Sequence, residues 1–232
     1  MDISVFGKLI DNIKDSFSIG NKVVAGLDIG SNAVKVAILS KTRDKFKLIN
    51  YARVPLSEGA LIEDIIEKPD EIVSAIKQAV KKAKISTKTT CIGMFGPGFF
   101  VKILVLPEEN IDDIEDQIAW DIEQYLPFTV EESFISHHVV KKSKQAGTTV
   151  LVAAAKQDVI FSFKDLVEDA NLKVKIVDSQ VTALTNIFEH VLKDKLVKAN
   201  VSFLFMNIGA QKTEFIIYKD KSIVFTKEIP KI

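Results

Sequence analysis

The sequence predicts a mixed α/β fold, and three observations carry that prediction. Strand-like runs separated by short polar turns fill the region from about residue 23 to residue 56. Beyond that region, segments with apolar residues at helical spacing alternate with short runs of strand character. Two short glycine turns, one in each half of the chain, repeat the same layout. This order of strands and helices is typical of sheets that are covered by helices.

The first 18 residues predict an amphipathic helix. Gly20-Asn21 ends it, so we expect segment 1–21 to form a separate element. Its apolar face consists of Val5, Phe6, Leu9, Ile10, Ile13 and Phe17. The polar face sets two lysines against three aspartates, which is a poor match for anionic lipid. We therefore expect this helix to dock on protein.

Three strands are predicted next, over Val23–Asp28, Ala33–Leu39 and Lys45–Pro55. Pro69 opens a helix, because proline suits the first helical position and two acidic residues follow in the first turn. The pattern after this helix predicts two strands, Thr90–Met94 and Phe99–Leu106, joined by a Gly-Pro-Gly turn.

The second half of the chain predicts three more helices, over Glu108–Tyr125, Gln157–Ala170 and Gln180–Leu196. Leu126-Pro127 ends the first of them, since proline disfavours helix at the preceding residue. Six strands are predicted in this half. They are Phe134–Val140, Thr148–Ala153, Val174–Val177, the two strands of the hairpin that carries the second glycine turn, and Lys221–Ile229. The block from about Phe99 to Gln145 interrupts the larger pattern and predicts a small inserted domain.

Composition excludes several classes of protein. Lysine plus arginine and aspartate plus glutamate number 31 each in a chain of 232 residues, so no global charge favours nucleic acid. The single cysteine excludes an internal disulfide and fits a reducing cytosol. No apolar stretch reaches the roughly 20 residues that span a bilayer, and the first residues do not resemble a signal peptide. We expect a cytoplasmic protein without direct membrane insertion.

The two glycine turns are candidate phosphate-binding turns. Each follows an apolar strand and reads (Asp/Asn)-Ile-Gly-(Ser/Ala). Glycine lets backbone N–H groups approach an anion, a lysine supplies a point charge, and an aspartate can hold a hydrated divalent ion. The candidate nucleotide-binding residues are Asp28, Gly30, Ser31, Asn32 and Lys35 in the first turn, and Asn207, Gly209, Gln211 and Thr213 in the second.

Other constellations yield no candidate catalytic or metal-binding residue. His137 and His138 would point to opposite faces of a strand and cannot ligate one metal together. The sequence contains no Walker A loop and no nucleophile-elbow motif.

At this point the sequence resembles the PilM family of actin-like proteins of type IV pilus assembly, which are relatives of the division protein FtsA. The resemblance rests on Gly26–Lys35, Leu106-Pro107, the segment Ile118–Phe128, Val177-Asp178-Ser179 and Asn207–Thr213. It implies an actin-like, ribonuclease H-like fold that carries an inserted small α+β subdomain, 1C. On this mapping, subdomain 1A is residues 22–98 and 148–197, 1C is 99–147, and 198–232 begins subdomain 2A.

The resemblance also implies a function. PilM proteins bind ATP between the two halves of the fold and turn it over poorly if at all. They also hold the cytoplasmic N-terminal tail of PilN, an inner-membrane protein, in a groove between 1A and 1C. This implies a scaffold that is peripheral to the inner membrane through its partners in the pilus assembly complex. The candidate partner-binding residues are Trp120, Tyr125, Leu126 and Phe128, because large aromatic side chains serve as peptide anchors. Phe99, Val101 and Ile103 are candidates for a strand edge that the tail extends.

Two departures from the family pattern bear on the nucleotide. The second turn has Asn207 where the family has aspartate, which removes a negative charge from a metal–phosphate site. Only residues 214–232 follow the turn, so we expect a chain cut before subdomain 2B and its adenosine-binding loop. ATP with Mg²⁺ is a possible cofactor, but we expect nucleotide binding to be absent or weakened and no enzymatic activity.

Three alternatives stay open at this point. One is an ATPase or small-molecule kinase fragment of the actin superfamily, which would need an acidic general base and an adenosine pocket. The others are the cytoplasmic domain of a type II secretion protein such as GspL, or FtsA itself. The Tyr125-Leu126-Pro127-Phe128 ending favours PilM over both.

Overall fold

Two units divide the chain in the computed structural model. The model describes residues 4–5, 24–42, 45–107, 114–191, 201–220 and 222–230. One unit comprises Met1–Gly96 and Gln157–Asp178, and the other comprises Pro97–Lys156 and Ser179–Ile232. The chain therefore leaves the first unit after residue 96, returns at residue 157, and leaves it again after residue 178.

The first unit contains a six-stranded sheet of order β1-β11-β7-β2-β3-β4. Its strands are β1 (Ser4–Val5), β2 (Ala25–Ile29), β3 (Ala33–Thr42), β4 (Lys45–Pro55), β7 (Thr89–Met94) and β11 (Lys173–Ser179). Strands β2, β3 and β4 form an antiparallel meander, and β7 runs parallel to β2. A separate short hairpin joins β5 (Leu61–Ile62) to β6 (Ile65–Ile66).

Helices α1 (Pro69–Lys82) and α3 (Gln157–Asp169) belong to this unit and contact each other. Along β2, and from Tyr51 to Pro55 in β4, buried residues alternate with more exposed ones, as the period of two in a strand requires. The start of α1 is tied to the preceding loop, because the Glu71 carboxylate accepts hydrogen bonds from Ser57 N at 2.6 Å and Ser57 Oγ at 2.7 Å.

The second unit contains a three-stranded antiparallel sheet of order β8-β10-β9. Its strands are β8 (Phe99–Leu106), β9 (Ser133–Ser143) and β10 (Gly147–Lys156), and α2 (Ile114–Glu123) packs on one face. The core between helix and sheet consists of Leu104, Leu106, Ile118, Ile122, Val150 and Val152.

The same unit contains a second antiparallel sheet of order β12-β13-β14. Its strands are β12 (Ser202–Ile208), β13 (Lys212–Lys219) and β14 (Ser222–Pro230), and α4 (Gln180–Val191) covers one face. Phe188 of α4 sits at the centre of this core, with ring centroids of Phe203, Phe205 and Tyr218 between 4.3 and 5.5 Å away in edge-to-face contact.

Most predicted elements are confirmed within a few residues of their bounds. The predicted helix over the first 18 residues is wrong at Ser4–Val5, which run parallel to Ile176 and Val177 of β11 as a short strand. Pairing with a sheet edge overrides helical periodicity there, and the rest of segment 1–21 lies outside the described residues. Residues 108–113 and 192–196 of two other predicted helices also lie outside them.

The predicted end of the inserted block, residue 147, coincides with the start of a strand that belongs to the sheet of that block. Strand β10 begins at Gly147 and pairs with β8 and β9 along its length, so it completes their sheet. The subdomain boundaries that the resemblance implies stay a prediction.

Candidate functional site

The first glycine turn joins β2 to β3 in the first unit. Gly30 N donates a hydrogen bond to Ala33 O at 3.1 Å, which closes the turn. A Cβ added at Gly30 would lie 3.6 Å from the same oxygen, an ordinary contact. Sterically, therefore, this position tolerates other residues.

Charged side chains line one face of the sheet beside this turn. Asp28 and Lys35 are register partners on β2 and β3, and Lys35 is the partner of Arg53 on β4. Lys35 Nζ donates to Asp28 Oδ2 at 2.7 Å. Arg53 Nη2 donates to Asn32 Oδ1 within the turn. Of the predicted residues, the structure brings Asp28, Asn32 and Lys35 together here, with Ser31 half-buried beside them.

Arg53 is a cation at this turn that sequence reasoning missed. Counting along the β3–β4 hairpin from Thr42 and Lys45 would place residue 52 opposite Lys35. A register shift between Ile38 and Leu39 moves Arg53 into that place. The place of Arg53 beside the turn therefore depends on the β3–β4 pairing and could not be read from the sequence. An arginine in an alternating strand next to a candidate phosphate turn was the signal that could have suggested it.

The second glycine turn joins β12 to β13 in the second unit. Gly209 N donates a hydrogen bond to Lys212 O at 2.8 Å, which is the equivalent of the bond from Gly30 N to Ala33 O in the first turn. A Cβ at Gly209 would lie 2.9 Å from that backbone oxygen, so glycine is the residue that fits. Asn207 Nδ2 lies 3.5 Å from Gln180 Oε1 at the start of α4. Gln211 and Thr213 are half-buried on either side of Lys212.

An acidic residue that the sequence analysis did not single out lies beside the second turn. Glu214 on β13 is the register partner of both Asn207 and Glu228, and only 6% of it is exposed. Its Oε2 atom is buried without a hydrogen-bond partner. Burial, followed by the nearby Glu228 charge, raises the pKa of the Glu214 carboxyl above its ordinary value, against the opposing effects of Lys212 and the Asn207 amide.

The lysine of the second turn is paired with the outer carboxylate. Lys212 Nζ lies 2.5 Å from Glu228 Oε2. The signal that could have found Glu214 was its position seven residues after Asn207, across a two-strand hairpin. That the two turns face each other across a phosphate chain stays a prediction, since each belongs to a different unit.

The candidate partner-binding residues surround the end of α2. Trp120 is 78% exposed, while Ile118 and Ile122 on either side of it in sequence are buried. Tyr125 is 42% exposed, and Lys102 Nζ lies 2.9 Å from the centroid of its ring.

The other two candidates, Leu126 and Phe128, are more buried than Trp120 and Tyr125. Leu126 packs against the core cluster of this sheet, and Phe128 is half-buried. Trp120 and Tyr125 are therefore the members of the set with side chains available for a partner. At the predicted strand edge, a residue of β14 contacts Val101: Thr226 Oγ1 donates a hydrogen bond to Val101 O at 3.5 Å.

The residues at each turn can be compared with ATP and Mg²⁺, which the family resemblance implies. At the first turn, Lys35 and Arg53 suit phosphate oxygens, but both already donate to side chains of the same turn. At the second, the carboxylates of Glu214 and Glu228 suit a cation and repel a phosphate. Within the described part of the chain, no helix is long and apolar enough to cross a membrane.

The family model of the type IV pilus assembly protein PilM matches residues 26–230 of this chain. A solved PilM–PilN type IV pilus biogenesis complex contains a similar chain, with a TM-score of 0.75 and 21% identity. The alignment covers 89% of this chain and 61% of that one, so this chain spans less than two thirds of its length.

Two further structures share the fold at lower identity. The cytoplasmic domain of EpsL, an inner-membrane component of the type II secretion system of Vibrio cholerae, has a TM-score of 0.56 at 9% identity, covering 90% of this chain and 71% of its own. A Bacteroides thetaiotaomicron protein with an actin-like ATPase fold has a TM-score of 0.52 at 10% identity, covering 93% and 73%. The predicted actin-like fold is thereby confirmed. Because the family model matches nearly the whole length, the chain belongs to the type IV pilus assembly protein PilM family.

Proposed function

We propose that this chain is a non-enzymatic adaptor that captures the cytoplasmic N-terminal tail of a PilN-like inner-membrane protein. It would act in the cytoplasm, at the inner-membrane pilus assembly complex. Family membership supports the setting, and a PilM relative has been solved with PilN. The observation that carries the proposal is the exposure of Trp120 on a helix whose Ile118 and Ile122 are buried.

The exposed aromatic pair has the character of a peptide anchor. An indole that is 78% exposed contributes little to the fold, yet it can bury a large apolar area when a partner covers it. Tyr125 follows at the end of the same helix and offers a second aromatic face. Binding energy in interfaces concentrates on such tryptophan and tyrosine side chains.

Charge on α2 specifies the chemistry of the occupant. The helix carries Glu115, Asp116, Asp121 and Glu123 and contains no basic residue. Around Trp120 a partner therefore meets apolar surface bordered by carboxylates. A tail that combines apolar side chains with lysine or arginine fits this surface, and its association rate would fall as salt is added.

Nucleotide binding is proposed to be absent or weak. Lys35, the lysine of the first turn, is held by Asp28, and a phosphate must compete with that carboxylate. At the second turn, Glu214 and Glu228 oppose an anion electrostatically. These charges weigh against the alternative of an actin-superfamily ATPase or small-molecule kinase fragment.

Fluorescence polarisation with a labelled peptide tests the adaptor role. The peptide would be the N-terminal tail of the PilN-like protein from the same organism. Trp120→Ala should weaken its binding at least about tenfold, equal to about 1.4 kcal/mol, with circular dichroism unchanged. Phe161→Ala is the matched control, because Phe161 is an aromatic residue that is 43% exposed on α3.

Two outcomes would overturn the proposal. One is no saturable binding of the peptide to the unaltered chain at low salt. The other is equal weakening by both substitutions, which would mean that Trp120 is not an anchor. A titration with fluorescent ATP and magnesium tests the nucleotide part separately, and tight binding with turnover would reverse that part.

A further inference from the structure

Strand β4 forms one edge of the six-stranded sheet in the first unit. It is the last strand in the sheet order, and within the described ranges β3 is the only strand that pairs with it. The strand has 11 residues, about twice the common strand length. From Lys47 to Pro55, its outer side therefore presents backbone N–H and C=O groups that no described strand meets. We call this side of the strand the β4 edge.

An exposed apolar surface lies beside the β4 edge. Ala52 and Val54 are buried, and α1 contacts this strand, so Tyr51 and Arg53 project from the opposite face of the sheet. Register partners share a face, and the pairs on this outer face are Lys35–Arg53, Ala37–Tyr51 and Leu39–Leu48. The Tyr51 side chain is 72% exposed and Leu48 is 51% exposed. A segment that lay along the edge would cover both.

The charge of the two outermost strands has one sign. Strands β3 and β4 together contain five lysine or arginine residues and no acidic residue. Lys35 is paired with Asp28, but the contact of Arg53 is with a neutral amide, that of Asn32, and leaves its positive charge uncompensated. Lys47 is exposed near the other end of the strand. Positive charge therefore flanks the apolar surface at Leu48 and Tyr51.

We propose that the β4 edge binds an extended acidic segment of another protein, which adds to the sheet as a further strand. The backbone of β4 supplies the ladder hydrogen bonds, and every second side chain of the segment lies over the outer face. Apolar side chains of the segment contact Leu48 and Tyr51, while carboxylates approach Lys47 and Arg53. A segment in which acidic and apolar residues are interspersed meets these requirements.

Two other occupants fit the β4 edge less well. Pairing β4 with β4 of a second copy would join two strands that each contain three basic residues and no acid, and like charges across strands are destabilising. A lipid surface would leave the backbone N–H and C=O groups of the edge without partners. An acidic protein segment satisfies both the backbone and the charges.

This site is separate from the proposed peptide anchor. The β4 edge belongs to the first unit, whereas Trp120 and the acidic helix α2 belong to the second. Their charges are opposite, so a segment that suits one surface is repelled by the other. The chain would then hold two different segments, a basic one at α2 and an acidic one at β4. The proposal does not depend on capture of the PilN-like tail.

Fluorescence polarisation with defined peptides tests the β4 edge. The probe is a labelled peptide that alternates glutamate with valine or isoleucine. One control peptide has lysine in place of glutamate, and another has methylated backbone nitrogens and cannot donate ladder hydrogen bonds. We expect the acidic peptide to bind with a Kd below about 200 µM at low salt and at least about fivefold more weakly at high salt, because salt screens the charges. Neither control peptide should bind.

Substitutions in β4 locate the binding. Tyr51→Ala should weaken the acidic peptide at least about fivefold, since an exposed tyrosine contributes mainly to the interface. Phe161→Ala, which removes an aromatic side chain that is 43% exposed on α3, should leave the binding unchanged. Hydrogen exchange of the β4 amides should slow when the acidic peptide is bound. A charge-reversed variant, Lys47→Glu with Arg53→Glu, should lose the acidic peptide and bind the lysine peptide.

Several results would overturn the proposal. They are no binding of the acidic peptide at 1 mM, equal binding of either control peptide, and equal effects of Tyr51→Ala and Phe161→Ala. Sedimentation with phosphatidylserine vesicles that Tyr51→Ala abolishes, without peptide binding, would assign this surface to a membrane instead. Charge reversal that fails to exchange the peptides would overturn the electrostatic part even if Tyr51→Ala did not fold. Binding of the PilN-like tail is measured with a different peptide and can succeed or fail independently.

Discussion

Lys35 and Asp28 form an ion pair across strands β2 and β3, with Nζ 2.7 Å from Oδ2. Both belong to the candidate phosphate turn, so the cation that would meet an anion is neutralised by its own neighbour. The Lys35 side chain is 56% exposed and that of Asp28 is 36% exposed, which places the pair in well-screened surroundings.

This exposure predicts a small effect of the pair on stability. Lys35→Met and Asp28→Asn should each change the free energy of unfolding by less than about 1 kcal/mol, because solvent screens exposed pairs. Urea denaturation of both single variants and the double variant would give the coupling between them, expected at about 0.2–1 kcal/mol. A coupling above about 2 kcal/mol would show that the pair is shielded from solvent in the folded chain.

Two glycines with nearly equal φ angles predict very different costs of substitution. Gly147 has φ +74°, and a Cβ there would lie 2.0 Å from the Leu106 carbonyl oxygen. Gly59 has φ +73°, with nothing within 4 Å. Gly59→Ala should cost about 1 kcal/mol of unfolding free energy, from backbone strain alone. Gly147→Ala should cost about 1–3 kcal/mol more, because backbone must move.

Urea unfolding followed by far-ultraviolet circular dichroism measures both alanine variants. Gly59→Ala serves as the control for the left-handed backbone conformation, so the difference between the variants reports the clash. Equal costs would mean that the start of β10 yields to a side chain without resistance.

The raised pKa of Glu214 predicts a pH dependence of stability. The folded state holds this proton more tightly than the unfolded state, whose carboxyl titrates near the ordinary value of 4.5. Stability should therefore fall as pH rises from about 4.5 through the raised folded-state pKa, and recover as pH is lowered. The charges that act on Glu214 are those of Glu228 and Lys212.

Glu214→Gln isolates this contribution. Its midpoint of urea denaturation should decline less than that of the unaltered chain between pH 4.5 and neutral pH, because glutamine has no proton to lose. Parallel curves for the two proteins would contradict a raised pKa of the Glu214 carboxyl in the folded chain.

Cys91 predicts a slow thiol reaction in the folded chain. Burial, with a further contribution from Asp178, raises the pKa of the Cys91 thiol from 9.0 to about 12. At pH 8 the folded chain then holds about a thousandfold less thiolate than the unfolded chain, and thiolate is the reactive form. Iodoacetamide labelling followed by mass spectrometry, in buffer and in guanidinium chloride, measures the ratio. Equal rates would refute the burial argument.

Local patterns sufficed for most of the fold. The turns at Gly30 and Gly209, the proline-opened helix α1 and the Pro127 end of the α2 region each depend on a few adjacent residues. Such preferences act within a turn or two of chain, so they can be recognised without knowing what packs on them. The resemblance to the PilM family rested on the same local segments and is confirmed by the family match.

Other features required contacts between distant residues. The helix predicted at Ser4–Val5 was wrong because the strand that pairs with these residues, β11, is more than 170 residues away in the sequence. Arg53 reached the first turn only through a register shift in the β3–β4 pair. In the candidate partner set, helical spacing could not show that Leu126 packs into the core while Trp120 is exposed.

The sequence by itself determined the order of elements, the two glycine turns and the family, because these follow from residue type and near-neighbour spacing. Only the tertiary structure decided the charge at the turns, since ion pairing and desolvation depend on which side chains meet across strands. Lys35 forms an ion pair with Asp28, and Glu214 is buried beside Glu228 with one of its carboxylate oxygens, Oε2, lacking a hydrogen-bond donor. The electrostatic character of each turn is thus a property of pairing, which no single segment of the chain contains.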